Sequence, residues 1–137
     1  MDSVLQSLLS GAPVLLTHLA AAFALFGLAA SLYMAITPMR EMALIRAGNT
    51  AAAISLAGGL LGIALPLAAC LAASVSILDL VVWGVLVLAI QLATLRLVDA
   101  FVGDLRRRIE AGETAAAVTV AAVKLSVAAL TAAAIGG

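Results

Sequence analysis

Long apolar stretches alternate along this chain with short polar punctuation. The apolar runs cover residues 14–36, 51–73, 77–98 and 115–135. Each holds about twenty residues, enough at 1.5 Å per residue to cross roughly 30 Å of hydrocarbon. None shows the period-two alternation of a membrane strand, and in lipid only helices and closed barrels satisfy their own backbone. The pattern predicts an all-α, integral membrane four-helix bundle.

The connections carry their own stop and start signals. Thr37-Pro38 reads as a cap followed by proline at the first helical position, opening a short helix that stops at Gly48. Thr50 then caps the second span. Only Ser74, Val75 and Ser76 separate spans two and three, which makes those helices antiparallel neighbours. After Val98 the chain is expected to stay helical to about Ala111, with Asp104 facing Arg108 and Arg106 facing Glu110 at the i,i+4 spacing. Gly112 stops that helix and Thr114 caps the fourth span.

The two stops belong to an internal repeat. A shift of 64 positions lays Ile45–Ile54 over Ile109–Val118 with seven identities in ten, including the Ile, Gly and Thr of the helix boundary. The chain therefore divides into a segment 1–13 outside the membrane and two tandem parallel helical hairpins, 14–73 and 77–137, in one membrane domain. Both hairpins enter the bilayer from the same side, so an axis along the membrane normal relates them, unlike the inverted repeats of many transporters.

Composition adds weight to the membrane reading. The chain is 66% apolar and 10% charged, against about a quarter charged in soluble domains. Net charge is zero, which removes the electrostatic case for a nucleic-acid partner. The first run lacks the basic leader of a secretory signal, since no Lys or Arg precedes Arg40, and it is read as a retained helix. Arg40 and Arg46 lie in loop 37–50, and Arg96, Arg106, Arg107 and Arg108 lie at or near loop 99–114. The positive-inside rule places both loops in the cytoplasm, where these arginines anchor beside anionic lipid, and both termini outside. Trp83 falls near the outer boundary and Tyr33 near the inner one.

Candidate chemistry is sparse. Lys124 sits about ten residues from either end of the fourth span, where a charge costs at least ~2.5 kcal/mol. It reads either as a functional amine in a polar cavity or as a buried lysine hydrogen-bonded to a neighbour, with Gln91 of the third span as the expected partner. Asp79 and His18 lie at similar depth near the outer ends of their spans. They read as a pH-sensing pair or, separately, as a helix-start acid and an interfacial imidazole. Gly58, Gly59 and Gly62, with Ala122 and Ser126 at the same small-residue spacing, predict close helix packing, and Pro66 predicts a bend with a freed carbonyl. Cys70 reads as a small buried filler. No metal-spaced ligand set, phosphate loop or nucleophile–base pair appears, so no enzymatic activity, cofactor or metal is expected.

Several of these residues also carry a resemblance. Ile36-Thr37-Pro38, Asn49-Thr50-Ala51-Ala52, Gly59-x-Leu61-Gly62-x-x-x-Pro66-Leu67, and Ser76-x-x-Asp79 with Trp83 and Gln91 in register resemble the small bacterial inner-membrane family named domain of unknown function three-fifty. The resemblance spans nearly the whole chain. It implies a four-helix plasma-membrane protein working alongside membrane-stress and peptide-ligase-like systems, and it transfers no functional residue. It also implies a small apolar residue where this chain has Lys124. The expected role is a non-enzymatic membrane subunit that assembles with itself or with another membrane or cytoplasmic protein. The competing expectation is a small oligomeric channel or transporter with Lys124, Gln91 and Asp79 in a polar path.

Overall fold

The computed structural model describes residues 1–37 and 40–136. Six helices follow one another among the described residues: α1 Asp2–Ile36, α2 Glu41–Arg46, α3 Thr50–Ala73, α4 Ile77–Phe101, α5 Gly103–Glu110 and α6 Thr114–Gly136. No strand occurs among the described residues. Four helices, α1, α3, α4 and α6, are long and apolar enough to cross a membrane. They form an all-α four-helix membrane bundle, with α2 and α5 as short helices at one end.

The first helix begins at Asp2, so the segment expected to lie outside the first span is helical. Gln6, Ser7 and Ser10 interrupt the apolar run without interrupting the helix, because the Ser10 hydroxyl donates to the Gln6 carbonyl at 2.9 Å. Pro13 lies inside the helix, and the Thr17 hydroxyl one turn later donates back to the Pro13 carbonyl at 2.9 Å. At about 52 Å for its 35 residues, α1 is longer than hydrocarbon is thick. The expected helix start at Thr37-Pro38 lies partly outside the described residues.

Helix boundaries follow local chemistry. Gly48 and Gly112 take φ of +87° and +89°. Each closes its helix with the same pair of bonds: Gly48 N–H to Ile45 and Asn49 N–H to Leu44, then Gly112 N–H to Ile109 and Glu113 N–H to Arg108, all at 2.9 Å. Thr50 and Thr114 are first residues of their helices rather than caps. Asn49 caps α3, its side-chain oxygen accepting from Ala52 N–H at 3.0 Å. The Asn49 amide reaches across to the carbonyls of Ile109 and Glu110 at 3.1 and 3.2 Å, tying the two loops together.

One expectation about the third connection is corrected. The helix after Val98 is not continuous: it breaks at Val102, whose φ and ψ are −103° and 28°, beside Gly103, a weak helix former. Neither Asp104–Arg108 nor Arg106–Glu110 forms an ion pair among the described residues. Instead the left-handed turn at Gly112 carries Glu113 back beside Arg108, whose Nε donates to Glu113 Oε2 at 2.7 Å. These bonds hold the Glu113 carboxyl below its ordinary range.

Helix α3 is the hub, packing most closely against α6 and also against α4 and α1. A Cβ on Gly58 would lie 2.7 Å from the Ala121 Cα, so the bare backbone is what lets α3 and α6 approach. One apolar core gathers around Leu25, Ile63, Leu67 and Leu88. A second, around Ala51, Ile109, Ala117 and Val120, seats α5 on the loop end of the α3–α6 pair.

Candidate functional site

Lys124 is 1% exposed. A helical side chain leans toward its own N-terminus, which for α6 is the loop end, so the amine is carried toward α2 and α5. There Nζ lies 2.8 Å from Asp99 Oδ1, near the end of α4. It also donates to the Tyr33 hydroxyl, from the last turns of α1, and stands 5.1 Å from that ring's centroid. The Tyr33 ring needs Gly59: a Cβ there would fall 2.5 Å from ring carbon Cε1. Gly59 thus seats an aromatic ring, whereas Gly58 seats a helix.

A second acid stands beside this group. Glu41, in the first turn of α2, is 4% exposed, and neither carboxylate oxygen has a hydrogen-bond partner among the described residues; Asp99 Oδ2 also has none there. Thr37, Ser55 and Arg106 are the other polar residues lining the crevice that Glu41, Asp99 and Lys124 share. Burial pushes the Glu41 carboxyl up to about 7, with Lys124 pulling it down and Asp99 pushing it up. Tyr33, Asp99, Lys124 and Glu41 thus bring α1, α4, α6 and α2 to one point.

The partner expected for Lys124 is elsewhere. Gln91 is fully buried and its Nε2 donates to the Gly62 carbonyl at 2.8 Å. Pro66 explains the bond: with no N–H it leaves the carbonyl four residues earlier, that of Gly62, without its helical donor. Gln91 supplies that donor, so Gly62, Pro66 and Gln91 form one unit separate from the lysine.

The remaining sequence candidates stay apart from the cluster. Asp79 Oδ2 accepts from Val75 N–H and Ser76 Oγ accepts from Asp79 N–H, both at 3.1 Å, a reciprocal cap of α4. His18 Nδ1 lies 2.8 Å from the Val14 carbonyl, and no bond joins His18 to Asp79 among those described. Arg40, Arg46, Arg96, Arg107 and Arg108 are exposed, and Arg106 is half-buried at the crevice. Ser126 is exposed and bonds its own helix at Ala122, so it does not pack within the chain. The inward face of α6 is Ala117, Ala121, Lys124 and Ala128. Cys70 is buried.

Sequence reading missed Asp99, Glu41 and Tyr33. Asp99 and Glu41 sit among the charges of the loop ends and look solvated, and Tyr33 looks interfacial although it is fully buried. The available signal was charge balance, because a lysine at such depth requires an acid within reach of its stem.

These features define a polytopic helical membrane protein whose loop end encloses a buried ionisable network and whose opposite half is apolar core. The chain belongs to the family described as Domain of Unknown Function (DUF350), whose model matches residues 7–135. It is similar to the UPF0719 inner membrane protein YjfL of Escherichia coli K12, at 39% identity over 85 residues, 62% of this chain and 64% of the relative. The protein of that name from Escherichia coli O157:H7 matches with the same figures. The match thus spans less than two thirds of those relatives' length. No solved structure matches the chain.

Proposed function

We propose that this chain is a non-enzymatic subunit of the bacterial inner membrane that assembles with further copies of itself through the outward face of α6. The observation that carries the reading is a seam of small residues. Ala115, Thr119, Ala122, Ser126, Ala129 and Ala133 are all exposed and recur at alternating steps of four and three along α6, the spacing of a helix–helix contact line. Small residues on a lipid-facing helix allow close approach of a second helix, which is the main source of association in a solvent as apolar as the side chains. The glycines of α3, by contrast, are used inside the chain. The arginines at both loops support a topology with loops 37–50 and 99–114 in the cytoplasm and both termini outside. The inner-membrane setting follows that of the related YjfL proteins.

A polar path through one chain receives less support. Gln91 is engaged by Gly62 and Asp79 by the start of α4, and apolar Leu80, Leu88 and Ile63 are buried in the core.

Cysteine crosslinking in native membranes tests the assembly. In a Cys70→Ser background, Ala122→Cys or Ser126→Cys should form disulfide-linked dimers on mild oxidation, and Phe23→Cys on the exposed face of α1 should not. Ala122→Leu with Ser126→Leu should reduce the assembled fraction at least several-fold in native-lipid nanodiscs. A chain that stays monomeric there, with no crosslink at either α6 position, would overturn the reading.

A further inference from the structure

We propose that Glu41 is a proton-binding site at the loop end of the bundle, and that loss of its proton releases α2 from the membrane-spanning helices. Three observations on the geometry lead to it. Glu41 is almost fully buried and both its carboxylate oxygens lack partners among the described residues, an arrangement a neutral carboxylic acid tolerates far better than a carboxylate. The one ammonium nearby is already engaged by Asp99 and Tyr33. Glu41 and Asp99 face one buried ammonium, while Arg106 at the rim is half-buried and forms no ion pair with either acid among the described residues, so the enclosed group carries an excess negative charge unless one acid holds a proton.

The crevice decides what kind of ligand can supply the missing positive charge. Its free space is about 10 Å³, room for a single water at most, so a hydrated cation or an organic solute does not fit and a proton does. The titratable groups that share the crevice with Glu41 are Asp99 of α4, Arg106 of α5 and Lys124 of α6; α3 contributes the Ser55 hydroxyl and no titratable group, and Tyr33 of α1 joins through its bond with Lys124. Burial, the largest effect, opposes ionisation of Glu41 and Asp99 adds to it; together they outweigh Lys124, which favours the charge, and hold the carboxyl near 7. Because this acid's value is raised, docking of α2 is strongest below the ordinary carboxylate range. It weakens as pH climbs from there through about 7.

Helix α2 suits such a release. It is six residues long, rests chiefly on the start of α3, and Glu41 is its one fully buried side chain. An ionised Glu41 would therefore leave the crevice by carrying the first turn of α2 toward water.

The full chain in lipid nanodiscs provides the test. Infrared difference spectra between pH 6 and pH 8, values set about one unit either side of the midpoint, should show loss of a protonated-carboxyl band, absent in Glu41→Gln. A nitroxide on Met42→Cys in a Cys70→Ser background should become more mobile over the same range, with a midpoint near 7, and should stay immobilised at both pH values when Glu41→Gln is added. Glu41→Gln keeps the shape and neutrality of the protonated acid, so it preserves the docked state. A carboxyl band that persists in Glu41→Gln, no band in the unaltered chain, or nitroxide mobility indifferent to pH or to the glutamine would each overturn the proposal.

Discussion

Lys124 and Asp99 illustrate how a membrane bundle tolerates charge. Each alone would be an unpaired ion away from water; together, at 2.8 Å, they neutralise one another, and Tyr33 takes a further ammonium hydrogen. Removing one partner is therefore worse than removing both. Lys124→Met should destabilise the fold by about 3–5 kcal/mol because Asp99 is left buried and uncompensated. Lys124→Met with Asp99→Leu should recover most of that loss, as measured by thermal unfolding in detergent micelles. Tyr33→Phe should cost about 1 kcal/mol in the same assay. Half of this arrangement was legible from the sequence. A lone lysine in the middle of an apolar run is conspicuous, whereas Asp99 and Glu41 are camouflaged among the charges of the loops. Only the direction of a helical side chain, back toward its N-terminus, connects the lysine to that end. Gln91 was singled out by depth alone, and depth does not say which way the Lys124 stem runs.

At the scale of helices, the chain repeatedly resolves one backbone defect with one side chain. Pro66 removes a donor from α3 and Gln91 of α4 replaces it, which couples the two helices. Gln91→Leu should cost about 1–3 kcal/mol by orphaning the Gly62 carbonyl. In a Pro66→Ala background that cost should shrink, since alanine restores the helical donor; thermal unfolding of the four-member cycle measures the coupling. Asn49 works similarly, capping α3 while holding the carbonyls that end α5. Asn49→Ala should cost about 1–2 kcal/mol and should speed amide hydrogen exchange in both loops together. The element ends were readable where glycine marks them, at Gly48 and Gly112, because a left-handed turn has few other solutions. They were less readable at residues 2–13, where scattered polar residues dilute the apolar signal but not the helix. The break at Val102 was also hidden, because the charge spacing of 104–110 fits a continuous helix as well as a new one.

For the whole molecule, the apolar runs dictated the architecture. Four stretches of membrane length joined by short links leave few arrangements, and the bundle follows one of them. Which helices touch was less evident: Gly58 and Gly62 announce a packing face on α3 without naming α6 as its partner, and the outward seam of α6 looks in sequence much like its inward face. Helices α2 and α5 share one end of the bundle, with Asn49 joined to Ile109 and Glu110, and the Ser74–Ser76 link lies at the other. Labelling with a membrane-impermeant maleimide in oriented vesicles tests this directly, using single cysteines at Arg46, Arg107 and Val75 in a Cys70→Ser background. Arg46→Cys and Arg107→Cys should react together from the cytoplasmic face and Val75→Cys only from the outer face. Labelling of positions 46 and 107 from opposite faces would contradict the bundle.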